Sequence, residues 1–383
     1  MKILSIETSC DETALSLIDA NGGLRKPHFK ILKNLVASQI KIHQPFGGVV
    51  PNLAKREHLK NLPMLLGKIQ PSIKSIDLIA VTVGPGLEPC LWTGIEFAKD
   101  LYKSVGRQAS GVKLIGVNHL EGHLYSFLLN PKSCIPNPAS LFPAIALIVS
   151  GGHTILLLMK NLTDWKKLGE TRDDAAGEAF DKVARLLNLP YPGGPNLEKL
   201  ANHGNSTSIN FPRPMIYQKN YDFSFSGLKT AVLYYLKDNL KLKIFSQSEA
   251  RGASGHGSER SEESERRKPA SEHAGRASGS LEKKFLANVA ASFQQAVIDV
   301  LVKKAISAAE MFKAKSILIS GGVANNKALR QAFKKESKKN KINFFAPSLE
   351  FTTDNAAMTA AAAYFNHLKN KKSRLIAQSN LTI

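Results

Sequence analysis

His119 and His123 are the side chains in this 383-residue chain with the clearest chemical spacing. The apolar run Lys113–Val117 reads as a buried strand, and the two histidines open the helix that follows it. Residues four apart share a helical face with Cβ atoms about 5–6 Å apart, close enough for two imidazoles to ligate one metal ion. The zinc-peptidase pattern places a Glu directly after the first His. Here Glu121 comes two residues later, roughly 200° round the helix at 3.6 residues per turn, and so points away from a metal held by the pair. A second cluster, Glu7–Thr13, carries hydroxyls and the acids Asp11 and Glu12 between two apolar segments. That pattern suits a β-hairpin whose turn meets a phosphate or a phosphate-bound cation. Near the other end, Asp354 precedes an alanine-rich helix. It reads as an N-cap, or as a metal ligand that the end of the chain returns to the first half.

Other stretches suit ligand binding through their backbone. Gly84-Pro85-Gly86 follows a β-branched run and precedes a helix, and Ser320-Gly321-Gly322 also lies between a strand and a helix. Such turns let backbone N–H groups approach an anion closely. Ser150–Thr154 reads as a tight turn between two strands, and Tyr191–Pro195 as a rigid glycine turn. Asp173–Ala184 reads as a helix with Asp174, Glu178 and Asp181 on one side; acids early in a helix also suit its dipole.

Strands and helices alternate along both halves, which indicates an α/β protein. A proline-rich stretch at 130–142 marks a boundary. Both halves open on a hairpin with a small polar turn, the mark of a duplicated fold around a cleft. We therefore expect a first domain over 1–141, completed by a C-terminal helical segment at 352–383, and a second over 142–351. Residues 246–280 are rich in Ser, Glu, Arg, Gly and Ala and too poor in apolar residues to form a core. They read as a disordered low-complexity insertion.

The formal charge is +21, and the insertion's six basic and six acidic residues cancel, so the excess sits elsewhere. Nucleic acid is the natural polyanionic partner, with an anionic membrane surface as the alternative. No uninterrupted apolar run reaches a membrane-spanning length of about 18 residues, and the N-terminus lacks a signal-peptide pattern. Cys10, Cys90 and Cys134 have no paired spacing, consistent with a reducing cytoplasm.

Taken together, these stretches resemble the universal tRNA threonylcarbamoyladenosine transferase family, whose older name is O-sialoglycoprotein endopeptidase. The resemblance runs through Glu7–Thr13, Gly84–Gly86, Asn118–His123, Ser150–Thr154, Asp173–Asp181, Tyr191–Pro195, Ser224–Leu228, Gly321–Val323 and Thr353–Ala356. It implies the actin-like ATPase (ASKHA) fold. It also implies transfer of a threonylcarbamoyl group from threonylcarbamoyl-AMP to the N6 amine of adenosine 37, in tRNAs reading codons that begin with A. On this resemblance His119, His123 and Asp354 bind one divalent metal per subunit, Fe(II) or alternatively Zn(II). Ile148, Val149, Ser150, Gly151, Gly152, Asp181, Gly194 and Asn326 contact the adenylate, and Asp11 and Glu12 lie beside the reacting group. The implied partners are tRNA, a TsaB-like paralogue and a TsaE-like ATPase. Glu198 and Val323-Ala324-Asn325-Asn326 depart from the commoner residues of the family, as does the insertion. An ATPase or small-molecule kinase of the same fold is the alternative, but it has no need of the histidine pair.

Overall fold

The computed structural model describes residues 1–69, 75–106, 111–129, 138–252 and 271–383. Its first half runs β1 (Lys2–Glu7), β2 (Glu12–Asn21), β3 (His28–Ser38), α1 (Ile40–His43), α2 (Pro51–Ile69), β4 (Leu78–Gly84), α3 (Glu88–Gly106), β5 (Lys113–Asn118) and α4 (His119–Tyr125). The second comprises β6 (Ala144–Val149), β7 (Thr154–Met159), β8 (Trp165–Glu170), α5 (Ala176–Leu186), α6 (Gly193–Ala201), α7 (Ser226–Gly252), α8 (Ser271–Met311), β9 (Ser316–Ser320), α9 (Lys327–Lys339) and β10 (Asn343–Phe345). The last helix is α10 (Ala356–Leu368).

The two five-stranded sheets have one topology. The first is ordered β3-β2-β1-β4-β5 and the second β8-β7-β6-β9-β10. In each, three antiparallel strands form a meander and two parallel strands extend it through the meander's first strand. The central strands β4 and β6 are buried at every residue, as expected where helices cover both faces of a sheet. α10 returns from the second half to pack on β1, β2 and α4. Its alanine run allows this close approach, and Ser5 donates a hydrogen bond to the Ala356 carbonyl at 2.6 Å. One apolar cluster joins β1, β4, α4, β6 and α10, so the histidine helix and the last helix sit between the two sheets.

Several expectations shift. The acidic helix begins at Ala176, not Asp173. Asp173 instead accepts from the backbone N–H of Phe225 and Ser226 at the start of α7. β8 has no counterpart in the sequence reading: Lys166, Lys167 and Glu170 break its apolar pattern. Helix α7 runs to Gly252 and α8 starts at Ser271, so helices enter the low-complexity stretch from both sides; its residues 253–270 lie outside those described, as do 130–137 of the proline-rich stretch and with them Cys134. One helix among the described residues has the length and mean apolarity to cross a membrane, although Gln294, Gln295 and Asp299 interrupt its apolar run. Leu281–Met311 of α8 passes by length and composition, although 72% of its most apolar window is buried inside the protein. It serves as a core helix of the second half.

Candidate active site between the two halves

α4 starts directly at the end of β5, and Asn118 caps it by accepting the Leu120 N–H at 2.8 Å. This sharp strand-to-helix junction aims His119 and His123 at the cleft, with ring centroids 4.7 Å apart. Asp354 meets them from the loop before α10: its Oδ1 lies 3.5 Å from His119 Nε2 and 3.2 Å from His123 Nε2. Donor atoms of all three lie within 4.8 Å of one another. The cap of α10 is Asn355, which accepts the Met358 N–H at 3.0 Å. Asp354 is thereby free of the capping role considered for it.

The donor set fits a metal. Both ring nitrogens of His123 are buried without a hydrogen-bond partner, because the close approach to Asp354 lacks hydrogen-bond geometry. An orphaned buried nitrogen of this kind costs free energy unless a ligand takes it up. Burial opposes charging of His119, but Asp354 and Glu7 on either side outweigh it and raise the imidazole to about 9. Burial also resists ionisation of Asp354, yet His119 and His123 hold it below the usual carboxylate range. The cluster thus demands positive charge, and two imidazoles with one carboxylate are a common donor set for Fe(II) or Zn(II).

Glu7 was not among the expected site residues. It is fully buried in β1, with Oε2 3.2 Å from His119 Nδ1. It accepts from the Ser9 N–H and the Thr82 and Thr359 hydroxyls. Burial opposes its ionisation, but His119 keeps it below the ordinary value. The sequence shows only a carboxylate at the end of the strand Lys2–Glu7, and its role depends on the partners the fold brings to it. Glu121 turns away, as its spacing required, and is held by Asn366 at 2.8 Å and Lys371 at 2.5 Å.

Two adjoining cavities meet at Asp11, Glu12, Gly151 and Tyr191. One, about 310 Å³, includes His119, Asp354, His153 and Ser150–Gly152. The other, about 260 Å³, is lined by Phe180, Asp181, Gly194, Asn325 and Asn326. Burial and the neighbouring Asp11 hold Glu12 well above the usual carboxylate range. Tyr191, also outside the expected set, donates to Asp11 Oδ2 at 3.2 Å, and Arg185 donates to the Gly47 carbonyl at 2.5 Å; both bonds bridge the halves. A larger groove of about 640 Å³ lies between α8 and α9, but none of these acids or imidazoles lines it.

The expected adenylate contacts divide. Ile148 and Val149 are buried on β6, their side chains in the cores either side of the sheet, whereas Ser150, Gly151 and Gly152 reach the cavities. Asp181 accepts from the Gly193 and Gly194 N–H groups at 2.8 and 3.2 Å, fixing the glycine turn that forms a cavity wall. A Cβ on Gly193 would fall 2.6 Å from the Asp181 Cα, so that turn requires glycine. Asn326 lines the cavity, but its carboxamide already caps α9 through Leu329 and donates to Gln294. The exposed Asn325 beside it is the less committed of the two.

Two α/β halves of one topology, enclosing a cleft with glycine turns, carboxylates and a candidate metal centre, define a protein of the actin-like α/β fold. The fold agrees with HypF from T. kodakarensis at a TM-score of 0.54 and 15% identity, covering 97% of this chain and 48% of that one. Full-length HypF in its phosphate- and nucleotide-bound form also gives 0.54, at 11% identity over 98% and 47% of the two chains. At the sequence level, the family model for TsaD, tRNA N6-adenosine threonylcarbamoyltransferase, matches residues 30–361. A protein of that name from Thermosipho africanus is 43% identical over the full length of both chains. Another from Moorella thermoacetica is 41% identical over 96% of this chain and 92% of its own. The chain belongs to the tRNA N6-adenosine threonylcarbamoyltransferase family.

Proposed function

We propose that this chain transfers the threonylcarbamoyl group of threonylcarbamoyl-AMP to N6 of adenosine 37 in tRNAs reading codons that begin with A. The observation that carries this reading is the juxtaposition of the His119–His123–Asp354 cluster with Asp11 and Glu12 across two adjoining cavities. The adenylate's nucleoside would lie in the cavity beside Phe180 and Gly194, with Asn325 the freer side chain toward the base. The N–H groups and open backbone of Ser150–Gly152 would face its phosphate. His119, His123 and Asp354 would hold the divalent ion, Fe(II) or Zn(II), which supplies Lewis acidity toward the carbamoyl and phosphate oxygens.

The adenosine amine attacks the carbamoyl carbon, the bond from that carbon to the phosphate oxygen breaks, AMP leaves, and one amine proton must be accepted. Burial and the neighbouring Asp11 shift Glu12 toward its neutral form, whereas Asp11 accepts a hydrogen bond from the Tyr191 hydroxyl. We therefore assign the base to Asp11, oriented by the Tyr191 hydroxyl. A TsaB-like paralogue and a TsaE-like ATPase are proposed partners, and the cytoplasm the proposed location.

The test is transfer of labelled threonine to tRNA, with bicarbonate, ATP, an adenylate-forming enzyme and the two partners. Wild type should label tRNA while His119→Ala and Asp354→Ala should not. Equal labelling by all three would reject the metal assignment. No labelling by any, with a known relative active in the same mixture, would reject the transferase and favour an ATPase.

A further inference from the structure

Helix α9 carries a feature that the transfer chemistry does not use. It leaves the adenylate-side cavity at Asn325 and Asn326 and buries Leu329, Phe333 and Ser337. About 120° round the helix from that buried face lie Lys327, Lys334 and Lys338, within about 40° of one another at 100° per residue, and Lys341 follows just past the helix end. All four are exposed, and none forms an ion pair among the described residues. Between Lys327 and Lys341 there are seven basic residues and one acid, Glu336. That acid lies 3.9 Å from Lys339, off the stripe. Like charges spaced three or four apart on a helix repel one another, and among the described residues no carboxylate forms an ion pair with these four side chains, Glu198 accepting only the Lys327 backbone N–H. The stripe spans about 16 Å at 1.5 Å per residue, starting at the lip of the cleft.

We propose that this face of α9 docks the phosphate backbone of the substrate tRNA and so aligns the target loop with the cleft. The inference rests on the proposed tRNA activity. Lysines along a backbone fix orientation without reading sequence, while the loop base, unstacked, is the part delivered to the site. The groove between α8 and α9 is a poorer path for RNA, because Asp299, Glu310 and Glu336 line it beside Lys303, Lys335 and Lys339 and offset their charge.

The test compares Lys334→Gln/Lys338→Gln/Lys341→Gln with a control, Lys26→Gln/Lys30→Gln/Lys33→Gln, on and beside β3. All six lysines are exposed. Binding of a fluorescent tRNA transcript is followed by anisotropy at several salt concentrations, after thermal melting shows both variants folded. The α9 variant should bind about tenfold more weakly at low salt, and its slope of log affinity against log salt should fall by about 2, from 0.7–0.9 per lost contact. The control should stay within about twofold. Wild-type affinity and slope in the α9 variant, or an equal loss in the control, would overturn the stripe. Failure of wild type to bind tRNA would instead remove the reading on which it rests.

Discussion

Glu7 Oε2 and His119 Nδ1 lie 3.2 Å apart in the buried interior, leaving His119 Nε2 to face Asp354. A carboxylate behind a ligating imidazole fixes its tautomer and strengthens it as a donor. Glu7→Gln should therefore lower metal affinity about 10–100-fold while leaving all three ligands in place. Equilibrium dialysis against Zn(II) or Fe(II) reads this directly, and unchanged affinity would show that Glu7 serves only β1.

Asn355 brackets the third candidate ligand, Asp354. Its carbonyl oxygen accepts the Met358 N–H, and its amide donates to the Thr353 carbonyl at 2.8 Å, on the other side of Asp354. Asn355→Ala should cost about 1 kcal/mol of stability through the lost cap and should also weaken metal binding. Asn355→Asp, which keeps the acceptor, should recover most of the stability in urea unfolding. An alanine variant that binds metal like wild type would separate the cap from the ligand.

The raised Glu12 carboxyl predicts a pH effect on stability. Between the ordinary carboxylate value and the raised value of the folded state, the unfolded chain has lost this proton while the folded chain keeps it. Folded protein then binds more protons than unfolded, and the group's contribution to stability falls as pH rises. Glu12→Gln removes the penalty, so its stability advantage over wild type should grow from pH 5 to pH 8. A constant difference across that range would contradict the environment described for Glu12.

Glu121 tests the peptidase reading. A metal-activated base would be indispensable, whereas a carboxylate tied to Asn366 and Lys371 anchors α4 to the end of the chain. Glu121→Gln should lower stability by about 1–3 kcal/mol, the usual cost of disturbing a buried charge-assisted hydrogen bond. Transfer per folded molecule should stay within about threefold. Abolished transfer at full metal occupancy and full folding would count against the assignment.

Much of this site was visible in the chain. His119 and His123 needed only helical spacing and a preceding strand, and the direction of Glu121 followed from the same periodicity. Asp11 and Glu12 stood out as acids in a short polar turn. Glu7 did not, because a buried carboxylate at a strand end has meaning only once a partner is opposite. Tyr191 looked like part of a turn until the fold placed its hydroxyl on Asp11 across the cleft. Ile148 and Val149 illustrate the converse: they adjoin the glycine turn in sequence, but a strand buried on both faces turns their side chains into the cores.

By itself the sequence determined what local rules decide: strand and helix types, the glycine turns, the spacing of the histidine pair and the excess of positive charge. Hydrogen-bond geometry and side-chain periodicity act over a few residues, so those features need no distant partner. Tertiary structure decided the rest. Asp354, 235 positions beyond His119 by their numbers in the chain, became a candidate ligand only when α10 packed back on the first sheet and Asn355 took the cap. The common topology of the two sheets, the burial that raises Glu12 and the exposed stripe beside the cleft all depend on which surfaces meet. That is set by packing between residues far apart in sequence, where no local pattern reaches.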